Sequence, residues 1–418
     1  QPPTESGHRQ LPSWLRTFQS LTIPAYRNYS IALLLYYGAM QAMMLARPLL
    51  AYELSADETG QRSALALGLT VASYNLPSLV VSPWAGALAD RLNKRHIVQV
   101  CAGIMGILAL ALGFGVVTGV FEWWHVAIIG ALQGALMMAV TPARRTLIAD
   151  LVDSRYLLNA VALSVVNQNI NRAITPAAAG FIIAAFGAQW AMWLIGGLYF
   201  AAMLAMFSVP LVRTERLANR GSMLRSIGDG FLYAKREPII RNLLIIGIIG
   251  SVFGQPIQQL LPLFQEVLDV GPAEIGLLTT FMGIGSLMGA TTAASLSDFK
   301  RKGLLLIGFF SLLGIAIIAF SSSSIFALSL FLMIPIGMGN SGRNTVHSAT
   351  IQAYSDPSMR GRVVALTNME SGVAPVAILG VTALAEVLGA QLAVGTLGVL
   401  IVVYALWEVV VSKTVRNL

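Results

Sequence analysis

Gly86-Ala87-Leu88-Ala89-Asp90-Arg91-Leu92-Asn93-Lys94-Arg95 is a short charged connection between two long apolar runs. Residues 64–85 precede it and residues 97–117 follow it, and each run is close to the roughly 20 residues that a helix needs to cross a bilayer. Asn93 suits a tight turn because asparagine tolerates left-handed backbone conformations. The stretch therefore predicts a tight, charged loop at a membrane surface.

The overall composition also points to lipid as the solvent. The 418 residues are 56% hydrophobic and 11% charged, whereas a soluble domain carries roughly 25% charged residues. Cys101 is the single cysteine, so no internal disulfide is possible, and the four histidines show no metal-ligand spacing. No glycine-rich phosphate loop of the Gly-x-x-x-x-Gly-Lys type occurs. We therefore expect no cofactor, no metal, no enzymatic activity and no direct use of ATP.

Apolar runs predict an all-α membrane protein with twelve transmembrane helices. The predicted spans are 30–52, 64–85, 97–119, 123–143, 158–186, 190–211, 242–264, 275–296, 303–320, 324–342, 363–385 and 390–411. They form two groups of six, so the predicted organisation is a cytoplasmic tail at 1–29, a bundle at 30–212, a linker at 213–241 and a second bundle at 242–418. Apolar residues at helical spacing in the linker predict a helix on the inner membrane face.

Charged residues set the predicted orientation. If the N-terminus is inside, the inner loops are rich in lysine and arginine and the outer loops in acids such as Glu53, Asp57, Glu122 and Glu386. This pattern predicts that both termini face the cytoplasm. The net charge of +8 is then a topology signal, and no nucleic-acid partner is expected.

The two halves of the chain resemble each other. Ser164 and Asn167 in span 5 correspond to Thr367 and Glu370 in span 11, each pair separated by 203 residues. Repeated halves with a binding site near the bilayer midplane are typical of secondary transporters.

The opening loop, with its Gly-x-Leu-Ala-Asp-Arg start and its basic pair, resembles the loop signature of the major facilitator superfamily. Asn93 departs from it, since the family usually has glycine there. A narrower likeness is to the drug-proton antiporter group that includes macrolide efflux pumps and siderophore exporters, carried by residues 52–55, 142–145 and 360–363. The antiporter hallmark Gly-Pro-x-x-Gly-Gly is degraded to Thr175-Pro176-Ala177-Ala178-Ala179-Gly180, and Gly130 replaces the span 4 arginine of many drug pumps.

The resemblance implies two pseudo-symmetric six-helix bundles with a cavity lined by spans 1, 4, 7 and 10. It also implies that Asp90 holds an inner gate shut through Arg144 or Arg362, although the loop could instead only shape a tight turn. The gating residues predicted in this way are Gly86, Asp90, Arg91, Lys94, Arg95, Arg144 and Arg362.

Span 5 has the most polar sequence of the twelve. Ser164, Gln168, Asn171 and Thr175 are spaced to share one helix face, which must meet protein or water because lipid cannot satisfy them. Arg172 lies deep in the span, where an arginine is costly and usually functional. Either these residues serve substrate binding or coupling, or Arg172 forms a structural ion pair.

Glu370 is the predicted proton-coupling residue. A carboxylate this deep in span 11 could carry a proton, or it could form a fixed salt bridge with Arg172 or Arg343. Asp150 and His347 are alternative proton-coupling residues.

The predicted substrate site combines adaptable methionine and aromatic walls with amide and basic groups. Its members are Tyr36, Tyr37, Met40, Gln41, Met44, Arg47, Gln133, Gln168, Asn171, Arg172, Gln255, Gln258, Gln259, Asn340 and Arg343. Pro256 and Pro262 predict a bend in span 7. Glycine pairs such as Gly250 with Gly254 and Gly285 with Gly289 predict close helix packing.

These features favour a secondary transporter that exports an amphipathic, drug-like or siderophore-like molecule by proton antiport with alternating access. An alternative is uptake or facilitated transport of an anionic solute by means of Arg47 and Arg172. A receptor that transports nothing is disfavoured because such a protein needs no gating loop. The resemblance implies a monomer in a bacterial inner membrane whose partners are its substrate, protons and lipid.

Overall fold

The computed structural model describes residues 15–77, 81, 92–211, 223–296, 299, 301–356, 359–370 and 372–411, and the regular structure in these ranges is helical. Eight helical segments in them are long and apolar enough to cross a membrane. Large apolar side chains such as Phe181, Ile315 and Phe331 are exposed on the outside of the helices. Exposed apolar surface of this kind fits contact with lipid tails.

In the described ranges of the N-terminal half, six helices follow a 3-10 helix at Leu15–Thr22. They are α1 at Pro24–Glu53, α2 at Ala64–Asn75, α3 at Lys94–Thr118, α4 at Trp123–Leu151, α5 at Ser154–Phe186 and α6 at Ala188–Ala205. The first helix begins at Pro24, earlier than the predicted residue 30, because proline suits the first helical turn. Helix α1 packs against α5 and α6, while α4 packs against α2 and α3.

The linker helix and the C-terminal half follow. They comprise α7 at Met223–Arg236, α8 at Pro238–Gly254, α9 at Ile257–Leu260, a 3-10 turn at Leu261–Phe264, α10 at Gln265–Leu268, α11 at Pro272–Ser295, α12 at Lys302–Ser321, α13 at Phe326–Tyr354, α14 at Arg360–Glu370, α15 at Ala374–Leu388 and α16 at Ala390–Val411. Helix α13 packs against α11 and α12, and α12 also packs against α16. The chain is thus an all-α membrane protein in which α1–α6 and α8–α16 form two bundles.

Span 7 agrees with its predicted bend, and spans 11 and 10 differ from their predicted form. Span 7 is interrupted after Gly254, next to Pro256, as its prolines predict. Span 11 is not one continuous helix, because α14 ends at Glu370 and α15 begins at Ala374, just before Pro375. Helix α13 extends well beyond the predicted end of span 10 at residue 342, so the polar stripe that begins at Asn340 lies within the helix and not at its inner end.

The two halves meet where α2 packs on α15 and α5 packs on α11. The Glu386 carboxylate accepts hydrogen bonds from the Ser63 hydroxyl and the Leu65 amide, both at 3.1 Å. On the other side, the Ala177 amide donates to the Thr280 hydroxyl at 3.2 Å. All three of these hydrogen bonds between the halves lie toward the predicted outer end.

Residues 175–180, which stand where related antiporters have the Gly-Pro-x-x-Gly-Gly sequence, lie in this contact between the halves. A Cβ atom on Gly180 would be 2.4 Å from the Pro272 carbonyl oxygen, so only glycine allows the two backbones to approach this closely. Toward the predicted inner end, Leu158 on α5 and Leu287 on α11 are exposed. Residues 175–180 therefore close the predicted outer end of the bundle.

Candidate functional site

A buried polar cluster lies within the C-terminal half. Glu370 is 7% exposed, and its Oε1 atom is 4.0 Å from Nε2 of His347, which is 4% exposed. The same Nε2 is 2.9 Å from the Leu243 carbonyl oxygen, and because a carbonyl only accepts, this nitrogen carries a hydrogen. Glu370 Oε1 has no hydrogen-bond partner in the part of the chain that is described.

Arg343 supplies the positive charge of this cluster. Its side chain is 1% exposed, donates to the Asn340 Oδ1 atom at 3.2 Å and lies 5.3 Å from the centre of the Phe310 ring. The guanidinium also interacts electrostatically with Glu370. Helix α13 thus brings the predicted residues Arg343 and His347 to one carboxylate, and Asn340 on the same helix face binds Arg343.

Two glycines of α8 make room for the cluster. A Cβ atom on Gly247 would lie 2.3 Å from both carboxylate oxygens of Glu370, and one on Gly250 would lie within van der Waals overlap of the Arg343 guanidinium. Gly250 and Gly254 were expected to allow close backbone packing, but they face the side chains of Arg343 and Leu313. The prediction for Gly285 and Gly289 is confirmed, because both meet backbone atoms of α13.

The N-terminal half contains a second buried site around Arg47. This side chain is 2% exposed, donates through Nη1 to Gln133 Oε1 at 3.2 Å and stacks 4.0 Å from the centre of the Tyr74 ring. Its Nε atom and the Nε2 atom of Gln133 are buried donors without a partner among the described residues. Two hydrogen-bond donors therefore remain available in this site.

The Arg47 site has a small cavity of about 10 Å³, room for roughly one water molecule. Its lining residues are Met40, Met43, Met44, Arg47, Tyr74, Met105, Gln133, Met137 and Tyr199. The predicted residues Met40, Met44, Arg47 and Gln133 are thus neighbours, whereas Gln41 is buried on α1 outside this lining. Tyr74, Met105, Met137 and Tyr199 were not predicted, and nothing in their spacing identified them.

Gly130 of α4 lies next to the Arg47 side chain. A Cβ atom at this position would lie 3.4 Å from the Arg47 Cδ atom and 3.6 Å from its Nε atom. Related pumps usually have an arginine at this position of span 4. Here the position is a glycine, and it lies beside an arginine from α1. The positive charge reaches the same region of the bundle from a different helix.

Arg144 is a buried cation at the end of α4 that the sequence placed in the gate. It is 5% exposed, and its guanidinium lies 5.1 Å from the Tyr36 ring centre and 4.4 Å from that of Tyr37. Its Nε and Nη1 atoms have no hydrogen-bond partner within the described ranges. Gly86, Asp90 and Arg91 lie outside the described residues, so the proposed contact between Asp90 and Arg144 stays a prediction.

The other described gating residues form ion pairs and hydrogen bonds with residues close to them. Lys94 forms an ion pair with Asp150 at 2.5 Å, and Arg95 donates to the Val209 carbonyl oxygen at 2.6 Å, at the end of α6. Arg362 lies 3.4 Å from the carboxylate of Asp229 in the linker helix α7. Asp150 thus has a cationic partner, and its role as an alternative proton-coupling residue stays a prediction.

The polar residues of α5 divide into two groups. Asn167 and Asn171 are buried and donate to the carbonyl oxygens of Ser30 and Leu34 in α1, at 2.9 and 3.3 Å. Gln168 on the same helix is exposed, and its role in substrate binding stays a prediction. The hydrogen bond from the Asn171 side chain to a backbone carbonyl oxygen ties α5 to α1. The role of Asn171 in substrate binding stays a prediction.

Arg172 and the glutamines of span 7 lie at other contacts of the bundle. Arg172 is half-buried where α5 meets α11, and its backbone carbonyl faces Gly283. Gln255, Gln258 and Gln259 are half-buried at the interruption between α8 and α9. Neither group joins the Arg47 cavity or the Glu370 cluster.

Comparison with known proteins identifies the family. The sequence matches the family described as transmembrane secretion effector over residues 54–417. The staphyloferrin A transporter of Staphylococcus aureus (strain NCTC 8325 / PS 47) is 26% identical over 339 residues, which cover 79% of this chain and 83% of that protein. The enterobactin exporter EntS of Escherichia coli O1:K1 / APEC is 23% identical over 361 residues, covering 84% and 83%.

Solved structures support the same fold. The nucleoside transporter NupG superposes with a TM-score of 0.74 at 12% identity, covering 93% of this chain and 99% of that one. The D-xylose-proton symporter gives a TM-score of 0.71 at 12% identity, with 97% and 100% covered. The two-bundle architecture, the loop signature and the match across most of the chain agree: the chain belongs to the transmembrane secretion effector family of the major facilitator superfamily.

Proposed function

We propose that this protein exports an amphipathic small molecule from the cell in exchange for protons, by alternating access. The observation that carries the proposal is the buried cluster of Glu370, His347 and Arg343. An ionisable group inside a membrane span is costly and therefore usually functional. The exporter relatives support the outward direction of transport.

The cluster supports proton exchange because Glu370 is held by few contacts. His347 lies at 4.0 Å from its Oε1 atom, too far for a hydrogen bond, and that oxygen has no partner among the described residues. A fixed, fully satisfied ion pair would leave no place for a proton. A carboxylate that can interact either with Arg343 or with a proton can alternate between two states as the bundle changes conformation.

The Arg47 site supports the substrate part of the proposal. Methionine and tyrosine side chains line its cavity and can adapt to bulky apolar groups. Arg47 and Gln133 provide buried donors that a polar or anionic group of the substrate would satisfy. Because the cavity holds about 10 Å³ in this conformation, the methionines must move for a larger molecule to enter.

The experiment is proton release from purified full-length protein in detergent when enterobactin or staphyloferrin A is added as a probe. We expect release from the wild type and none from Glu370→Gln, a variant that keeps the side-chain size. Glu58→Gln, the same substitution at an exposed position in a predicted outer loop, is the matched control and should release protons as the wild type does. Equal release from wild type and Glu370→Gln would refute Glu370 as the coupling residue.

A second candidate function is uptake or facilitated transport of an anionic solute. Two observations favour it. Arg47 is buried and has no acidic partner among the described residues. Arg172 is half-buried between the halves and also has no acidic partner among those residues. Both guanidiniums would gain from an anionic ligand. Anion flux in proteoliposomes that survives replacement of both arginines by glutamine would exclude this function.

A further inference from the structure

A cavity of about 700 Å³ lies beside the Glu370 cluster, between the linker helix α7 and the helices α8 and α14. Its walls are almost entirely apolar. They include Phe231, Leu232, Leu244, Ile245, Ile248 and Met369. Several of these, such as Phe231 and Ile245, are exposed, so the cavity is open on the side where lipid would lie.

The mouth of this cavity is basic. Lys235 from α7 and Arg241 from α8 belong to its lining, and both are exposed. Of the nearby acids, Asp229 is paired with Arg362 at 3.4 Å, and Glu237 is exposed outside the lining. The cavity therefore presents two cations at one end and apolar walls along its length.

The Glu370 cluster borders the cavity on one side. Glu370 contributes to the lining next to Met369 and Val373, although it is only 7% exposed. Whatever fills the cavity thus lies against the carboxylate. An apolar occupant would keep water away from Glu370 on this side.

We propose that this cavity binds an anionic phospholipid of the cytoplasmic leaflet. One acyl chain fits the apolar walls, and the phosphate fits between Lys235 and Arg241. Basic residues next to a membrane attract anionic headgroups, and the positive-inside pattern predicts that these two face the cytoplasm. The helix α7 completes the site, because without it α8 and α14 would offer only an open groove. The proposal does not depend on the direction of transport or on proton coupling.

The test is native mass spectrometry of the full-length protein titrated with phosphatidylglycerol or phosphatidylcholine. We expect the wild type to retain phosphatidylglycerol preferentially. The Lys235→Gln, Arg241→Gln double variant should lose roughly 30-fold in affinity for it, given the typical attraction of two basic residues to an anionic surface. The matched control is Arg27→Gln, Arg155→Gln, which removes two exposed charges from the same predicted membrane face of the other half and should bind within about twofold of wild type, since neither residue lines the cavity.

A second variant tests the apolar part without changing charge. Ile248→Trp places a larger side chain in the cavity and should lower retention of both lipids, while its thermal unfolding midpoint reports whether it folds. Equal retention of the two lipids by wild type, or equal affinity in the double variant and its control, would overturn the proposal. Displacement of one phosphatidylglycerol by one molecule of enterobactin would also overturn it, because the cavity would then be a substrate entrance.

Discussion

Replacement of Gly247 by alanine tests the Glu370 cluster most directly. The added Cβ atom would lie 2.3 Å from both carboxylate oxygens, whereas real Cβ contacts are not found below 3.0 Å, so the carboxylate must move by about 0.7 Å or more. The atoms that must move are the end of the Glu370 side chain, and buried His347 and Arg343 are the neighbours it would move against. Overpacking of this kind costs about 1–3 kcal/mol.

The free-energy cost of the added methyl group acts on Glu370, the residue that carries the proposed proton exchange. A change of about 1.4 kcal/mol in the energy difference between two states is a factor of ten in their ratio. We therefore expect Gly247→Ala to lower substrate-driven proton release and probe efflux from proteoliposomes by about tenfold. The tenfold effect corresponds to about 1.4 kcal/mol, which lies in the lower part of the overpacking range.

The control for Gly247→Ala is Gly197→Ala in α6, where an added Cβ atom meets nothing within 4 Å. Alanine in a helix is favoured over glycine by roughly 0.5–1 kcal/mol, so this variant should unfold at the same temperature as wild type or slightly higher. It should also keep wild-type flux. If the two variants show equal flux and equal unfolding midpoints, the close contact between α8 and Glu370 is not what limits coupling.

Three further perturbations have expected outcomes. Glu386→Gln should weaken closure of the predicted outer end by up to about 1 kcal/mol, because the charge that the Ser63 hydroxyl and the Leu65 amide share is lost at an exposed position while one acceptor oxygen remains; spin-label distances across that end should lengthen, and unchanged distances would contradict it. Arg47→Lys keeps the charge but loses the planar stack on a tyrosine ring, so probe affinity should fall about tenfold in a binding titration, with unchanged affinity as the contrary result. His347→Gln can still donate to the Leu243 carbonyl oxygen, so its unfolding midpoint should stay close to wild type while proton release is reduced, and full release would remove the histidine from the coupling path.

The fold could be predicted from local features of the sequence, and the sites could be predicted only in part. Apolar runs and a charged loop are signals within one stretch of chain, which is why the spans were found and the major facilitator fold followed. Glu370 was identified because a carboxylate at membrane depth is conspicuous by itself. Gly247 was missed because its role depends on a residue far along the chain that packs against it.

The interruption of span 11 and the residues of the Arg47 site show the same limit. The apolar sequence at 363–385 contains too few breaking signals to outweigh its length, yet the helix ends at Glu370 and begins again at Ala374. Likewise Tyr74 and Tyr199 come from helices whose rotation the sequence does not specify. Helical periodicity predicts which residues share a face, but it does not say which other helix that face meets.

The internal repeat allows Asn167 and Glu370 to be compared directly, because one lies in each half. Asn167 and Glu370 occupy equivalent positions, and each faces the first span of its own half: the amide donates to the Ser30 carbonyl oxygen of α1, while the carboxylate lies against Gly247 of α8. In the first case a neutral group is tied to backbone, which joins two helices permanently. In the second a charged group meets a glycine, which leaves one oxygen without a partner among the described residues. The two equivalent positions therefore differ in their contacts: Asn167 donates a hydrogen bond between two helices, whereas Glu370 Oε1 lacks such a partner among the described residues.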